Sequence, residues 1–552
     1  MLSRIASSIA TRTKRLIACE RANISVLFAL SLVPILGFVG AAVDYSRANA
    51  VKSSMQAAAD SAALLLSKDV ATLASGQIQT KANDFFKANF TRAEAQELAV
   101  SAVYKQDAGS EIVLSASSTV ATSFMGLLGQ ASMKVAVTSQ VKWGSTKLRV
   151  ALVLDTTGSM DNAGKMTAMQ TATKNLLAQL QSAAASNGDV YVSIIPFSKN
   201  VNVGAANYNA TWIDWTDWEA EPKVLQGSKP SNWSEIGPGD SCPFTTSAHG
   251  FRCAPTPTST STTSTIPSSG TYAGYICPSS DTGGKDSTKI GIIYNGCYNS
   301  VLNLKTVSSG SGASCGSYNN CTCSGSGSSR VCKQETYDHT WIKNARSTWN
   351  GCVTERGTSS GPSNDYDRKV TAPSSSTPAS LFPAEQNSYC SPQITQLNYN
   401  WSSMKSTVDA LYPLGATNQP IGLVWGWQSL VGGGPIAAPP AKDSRYTYNE
   451  VIVLMSDGLN TLNRWYGNGS SVNTSVDRRM HESAAAGTCA NIKASGITIY
   501  TVHVNTDGDP KSTLLENCAS TSDKFWMVTS ASGLSNVFSQ IGTQLSNLRI
   551  AQ

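Results

Sequence analysis

From Asn23 to Val43 the chain reads NISVLFALSLVPILGFVGAAV, 21 residues without a charge. That reaches the ~20 residues a helix needs to cross a bilayer, and Pro34, Gly37 and Gly40 are tolerated inside such a span. On its N-terminal side Arg4, Arg12, Lys14, Arg15 and Arg21 are opposed by Glu20 alone, so residues 1–22 hold +4 of the chain's formal +6. The positive-inside rule then leaves residues 1–22 in the cytoplasm and sends the remainder across the membrane. A cleaved signal peptide is the alternative, supported by Ala41 and Ala42 but with an apolar core on the long side. A charged fraction of only 14% with abundant Ser, Thr and Gly suits an exported protein. Because the basic excess lies in a tail and not on a folded face, no nucleic-acid partner is expected.

Beyond Asp44 the pattern stays helical. Val51, Met55, Ala58, Ala62 and Leu65 recur at alternating steps of four and three, a packing stripe too short for a coiled coil. Strand-like AVSAVY, IVLSAS and KVAVTSQVKW follow between Glu97 and Trp143. Residues 44–146 therefore read as a small α+β module, one long helix continuing from the span and a small antiparallel sheet.

From about Lys147 short apolar strands alternate with helices, which argues for a doubly wound, mostly parallel α/β sheet. Strands are expected at Val150–Leu154, Val190–Pro196, Glu450–Met455, Ile497–Val504 and Phe525–Thr529. Helices are expected at Lys165–Ser182, Trp401–Leu411, Ile421–Leu430, Val476–Ser495, Ser512–Ala519 and up to about Leu548. The domain is discontinuous, 147–204 and 396–548. Between its parts lies a Ser/Thr/Gly-rich insertion, 205–395, in which the pattern dissolves and which holds ten of the thirteen cysteines.

Two strands of this domain end in an aspartate. Val150–Leu154 runs into Asp155, with hydroxyls at Thr156, Thr157 and Ser159; Glu450–Met455 runs into Ser456, Asp457 and Gly458. Thr417 lies between them in the loop PLGATNQP. Open α/β folds place ligands beyond the carboxyl ends of their strands, and an oxygen-only donor set favours Mg²⁺, Mn²⁺ or Ca²⁺ over zinc. Taken singly, each residue is also an ordinary cap or turn residue. As an ordered set, Asp155-x-Thr157-x-Ser159, Thr417 and Asp457 resemble the metal-ion-dependent adhesion site of von Willebrand factor A domains, with Thr157 where that family more often has Ser. The resemblance implies metal ligation by Ser159 and Thr157 or Thr417. It also implies that Asp155 and Asp457 hold the ion's waters and that a position stays open for a partner's carboxylate.

Further stretches extend the likeness. The charged tail, a single span ending Val43-Asp44-Tyr45 and the helix QAAADSAAL at 56–64 resemble TadE and TadG proteins of the bacterial tight-adherence (Flp, type IVc) pilus apparatus. DGLNTLNRW at 457–465, CANIKASGITIYTV at 489–502 and LRIA at 548–551 resemble the TadG branch. This implies a non-enzymatic adhesion or pilus-assembly protein, anchored once in the inner membrane with its bulk periplasmic or at the cell surface. Its partners would be pilus components or a surface ligand. A metal-dependent envelope hydrolase and a scaffold with a vestigial metal site are the rival readings.

Cys19 lies on the cytoplasmic side, leaving twelve exported cysteines, an even number that fits six disulfides in an oxidising compartment. Cys489 and Cys518 flank strand 497–504 and are placed to staple the helices on either side of it. A zinc site at Cys315, Cys321, Cys323 and Cys332 is the competing reading, weakened by the absence of a doubled Cys-x₂-Cys spacing. Asp155-Thr-Thr-Gly-Ser has one residue too many for an aspartic-protease motif, and no second carboxylate follows Asp155 as a phosphotransferase would need. His503 reads as core, His481 as helical, and no Ser/His/Asp set can be assembled. Trp212, Trp215 and Trp218 read as packing the insertion onto the sheet, with a binding face as the alternative.

Overall fold

A computed structural model describes residues 20–70, 73–106, 109–143, 146–227, 229–357, 372–431, 435, 439–480 and 487–550. The basic tail up to Cys19 and the histidine at 481 lie outside the described residues. The chain divides into two compact units, 1–145 with 551–552, and 146–550.

In the first unit one uninterrupted helix, α1 (Glu20–Asp69), runs through Pro34. Its first half presents Leu27, Phe28, Leu30, Val33, Leu36 and Phe38 to the surroundings, whereas Val51, Met55, Ala58, Ala62 and Leu66 are buried. These pack against α2 (Ser75–Asn89) and the meander β1 (Ala95–Gln106), β2 (Ser110–Ala121), β3 (Ser132–Trp143), antiparallel in the order β1-β2-β3. Strand β2 alternates, sending Ile112, Leu114 and Ala116 into the same core. Ile112 and Leu114 each contribute about 1.5–3 kcal/mol on burial. Leu65 does not join them: it is 40% exposed, and Leu66 takes its place at full burial. From Ala58 the buried face advances in steps of four, through Ala62 to Leu66, each one helical turn above the last, and not in alternating steps of four and three.

Near the end of the apolar run Asp44 is buried and accepts the backbone N–H groups of Ser123 (3.0 Å), Phe124 (2.8 Å) and Met125 (2.8 Å). Those donors hold its carboxyl below the usual carboxylate range, Met125 foremost. The acid thus fastens the β2–β3 turn to the helix, and Arg47 adds a bond to Ser123.

The second unit is built on a six-stranded sheet. Its strands are β4 (Thr146–Asp155), β5 (Val190–Phe197), β6 (Thr395–Asn398), β7 (Thr447–Ser456), β8 (Thr498–Val504) and β9 (Phe525–Val528), in the order β6-β5-β4-β7-β8-β9. All neighbours are parallel except β6, which runs antiparallel to β5. Strand β4 is buried on both faces. Leu148, Val150, Leu152 and Leu154 pack with α3 (Lys165–Ala183), α4 (Trp401–Asp409) and α8 (Leu534–Ile550). Ala151 and Val153 pack on the other side with α5 (Gln419–Leu430), α6 (Thr488–Ala494) and α7 (Thr513–Cys518). All twelve residues of α5 are buried. A Cβ on Gly422 would lie 2.6 Å from the Phe197 ring, and one on Gly426 would lie 2.5 Å from Val153, so these glycines let α5 lie close on the sheet.

Two expectations are corrected. The helix read over Val476–Ser495 is instead a short turn, Thr474–Asp477, and α6, with residues 481–486 outside the described set. Gly487 stands before α6 in extended conformation (φ −68°, ψ 153°), and glycine is a poor helix former. The insertion, in which the pattern seemed to dissolve, has a five-stranded sheet of its own, centred on Gly296–Ser309 and Val331–Lys343. Its core gathers Leu225, Phe244, Phe251, Ile276 and Tyr298. Trp215 and Trp218 are buried in the sheet's second core, and Trp212 meets Trp425 of α5 at 6.2 Å between ring centres.

Six disulfides join Cys242–Cys253, Cys277–Cys297, Cys315–Cys321, Cys323–Cys332, Cys352–Cys390 and Cys489–Cys518. Cys315, Cys323 and Cys332 bring their sulfurs within 4.8 Å of one another. Each is already committed to a bridge, which leaves no thiolate for zinc.

Candidate metal centre

Strands β4 and β7 are adjacent, parallel and in register, Leu154 opposite Met455, so their carboxyl ends reach the sheet edge together. Beyond the last pair lie Asp155 and Ser456, and Ser456 Oγ donates to Asp155 Oδ2 at 2.5 Å. The chain turns sharply after Asp155: the N–H and Oγ1 of Thr157 both donate to Asp155 Oδ1, at 2.8 and 2.6 Å. This local turn is how Asp and the hydroxyl residues following it compete with regular structure. It leads into a 3₁₀ segment, Gly158–Gly164, that presents Ser159.

Thr417, in the loop before α5, is drawn in from the opposite side. Gly158 N–H donates to Gly415 O at 2.8 Å, tying the two loops, and Thr417 Oγ1 donates to Thr157 Oγ1 at 3.3 Å. Thr157 Oγ1 and Ser159 Oγ lie 3.1 Å apart, and Ser159 Oγ donates to Asp457 Oδ1 at 2.9 Å. All five side chains read from the sequence, Asp155, Thr157, Ser159, Thr417 and Asp457, therefore meet in one hydrogen-bonded chain. Asp155, Thr157, Thr417 and Asp457 are buried and Ser159 is half-buried.

The set fits a small hard cation. Octahedral Mg²⁺ with bonds of about 2.0–2.1 Å sets neighbouring ligand oxygens roughly 3 Å apart, and the oxygens here are spaced 2.6–3.3 Å. Burial, reinforced by the charge of Asp457, pushes the Asp155 carboxyl up from its ordinary value. Two carboxylates held this close in a site shielded from water favour a compensating positive charge.

Part of that charge is already present, on residues to which the sequence reading gave no role in the site. Lys165, the first residue of α3, is fully buried and donates to Asp457 Oδ2 at 2.7 Å and to Asp507 Oδ2 at 2.5 Å. Burial works against its charge, but the bonds to Asp457 and Asp507 hold its pKa above the usual value. The same contact lowers that of Asp507. Ser456 completes the support, accepting from Gln419 Nε2 at 2.9 Å while it donates to Asp155. One sequence signal pointed to Lys165: a cation in the first helical turn opposes the helix dipole and calls for a local anion. His503 is buried in β8, and burial lowers its pKa.

Against known proteins, residues 22–65 match the Tad family, described as Flp pilus-assembly TadE/G-like. No curated protein matches the chain. Among solved structures it is similar to the von Willebrand factor domain of the type V pili tip protein Mfa5 from Porphyromonas gingivalis. That likeness has 9% identity and a TM-score of 0.29, over 74% of this chain and 97% of that one. Similarity to the pilus adhesin SpaC from Lactobacillus rhamnosus GG has 10% identity and a TM-score of 0.28, over 83% of this chain and 36% of that one. A variant of the PilB minor pilin from Streptococcus sanguinis gives 10% identity and a TM-score of 0.27, over 83% and 80%. The chain spans just over a third of SpaC's length.

Proposed function

We propose that this is a membrane-anchored, non-enzymatic pilus-assembly or adhesion protein of the TadG kind. Its second unit is a doubly wound, von Willebrand A-like domain that holds Mg²⁺, or Mn²⁺ or Ca²⁺, and grips a protein partner through it. The observation that carries this reading is the convergence of Asp155, Thr157, Ser159, Thr417 and Asp457 at one sheet edge, from three loops far apart in sequence. Bound there, the ion would supply a Lewis-acidic position for a partner's carboxylate. Thr157, Ser159 and Thr417 offer neutral oxygens, which leave an ion its charge, while Asp155 and Asp457 accept hydrogen bonds and orient the donors around them. Helix α1 supports a single span in the inner membrane, with residues 1–22 cytoplasmic and the bulk periplasmic or at the surface.

The test is capture of pilus components or surface ligands by the full chain in detergent, with Mg²⁺ and with EDTA, beside the Asp155→Ala variant. Capture that needs Mg²⁺ and disappears in Asp155→Ala supports the proposal; equal capture in EDTA overturns it. A second reading, a scaffold whose site is vestigial, is favoured by Lys165, whose ammonium already neutralises Asp457. Titration with Mg²⁺, Mn²⁺ and Ca²⁺ that yields no binding to the native chain would select that reading.

A further inference from the structure

The β2–β3 turn of the first unit carries Phe124, Met125, Leu127 and Leu128, four large apolar side chains within five residues. A soluble turn of this size would be polar, with its glycines flanked by Asn, Asp or Ser. Leu127 is 86% exposed, Leu128 70% and Phe124 48%.

The turn is held in place from below and from the side. Asp44 accepts three of its backbone N–H groups. Phe124 rests on Gly40, where an added Cβ would come within 2.4 Å of its side chain, and Leu128 reaches Gly37, 3.9 Å from the corresponding position. Gly37 and Gly40 belong to the uncharged run Asn23–Val43. Gly37 lies six residues inside its end, which at 1.5 Å per residue is about 9 Å along the helix. Interfacial apolar segments sink roughly 5–10 Å into the headgroup and acyl boundary.

We propose that the Phe124–Leu128 turn is a second membrane contact, a hydrophobic foot that dips into the outer-facing leaflet beside the span. Its occupant is lipid acyl chain: the foot lies alongside a helix whose own neighbouring surface is apolar and uncovered, so whatever medium bathes Val33, Leu36 and Val39 bathes Leu127 and Leu128 as well. Asp44 marks the water side of the boundary, and its three N–H bonds remove the cost of bringing a carboxylate and a turn's open amides near hydrocarbon. The inference rests on the membrane reading of α1, and the experiment separates the two.

In a Cys19→Ser background the full chain is reconstituted into phosphatidylcholine vesicles with an environment-sensitive fluorophore on Leu127→Cys, Leu32→Cys or Val103→Cys. Val103 is a 47%-exposed residue of β1, which serves as the control outside the apolar run. Shallow and deep spin-labelled lipids are the quenchers. The expected result is strong quenching at position 127 by the shallow label, at position 32 by the deep label, and little at 103. Quenching at 32 with none at 127 would overturn the foot and leave the span intact. Absence of quenching at both positions would remove the membrane reading, and the foot with it.

Discussion

At the scale of single residues, a dication at the proposed site would have to share one carboxylate with the Lys165 ammonium. Lys165 occupies Asp457 Oδ2 while Ser159 occupies Oδ1. A dication entering beside them feels the ammonium at a few ångströms, a repulsion worth more than 1 kcal/mol even at a high effective dielectric. Lys165→Met is therefore expected to raise Mg²⁺ affinity about tenfold or more, measured by calorimetric titration. The same change should cost the metal-free protein about 3 kcal/mol, because it strands a buried carboxylate. Asp155 supplies a pH dependence. Its folded-state pKa is raised, chiefly by burial, so the metal-free protein pays nothing for it below the ordinary carboxylate range and progressively more as pH climbs towards the raised value. Mg²⁺ relieves that cost only when the group is ionised. The rise in Tm on adding Mg²⁺ should thus be larger at about pH 8 than at about pH 5.5, and an equal rise at both would count against the site. Asp155, Thr157, Ser159 and Asp457 stood out because they follow buried apolar strands, a local pattern, whereas Thr417 lies in a loop and entered the set only through the resemblance to A domains. Asp507 did not stand out, because it joins through Lys165 from a separate loop and no spacing rule links the two.

At the scale of elements, legibility followed hydrophobic contrast. Strands β4 and β7 are unbroken apolar runs between polar neighbours and could be read directly. Residues 296–309 and 331–343 pair as a long ribbon in which Val301–Thr306 of the first strand are exposed without a break, and a strand exposed in that way needs no alternation. Their Ser, Thr and Asn content hides them among the loops around them. Cysteines mark what apolar pattern does not: Cys277–Cys297 and Cys323–Cys332 bind this ribbon to its neighbours. The bridge Cys489–Cys518 links α6 to α7 across β8, closing 29 residues. Constraint of the unfolded chain by a loop of that size is worth about 3.5 kcal/mol in the chain-entropy account. Replacing both cysteines by Ala should lower the urea midpoint accordingly, with little change in the denaturant slope; an unchanged midpoint would mean that strain in the folded state cancels the gain.

For the molecule as a whole, the twelve described cysteines form six bridges, so its chemistry is tied to where it matures. Protein recovered from an oxidising compartment in a Cys19→Ser background should titrate no free thiol with a disulfide reagent under denaturing conditions. A stoichiometric thiol would show that a bridge is absent. The plan of apolar helix, small sheet and discontinuous α/β domain could be drawn from composition and periodicity, because each part has its own apolar signature. Helix α1 has a mechanical consequence. Fifty residues form one rod, about 75 Å long, whose lower part is bare and whose upper part is the spine of a folded core. Pro34 alone within it lacks a backbone N–H donor. With the bare part as the proposed span, a tug on that core would be carried into the lipid along a single helix, and whatever leans on the first unit would tilt its anchor too.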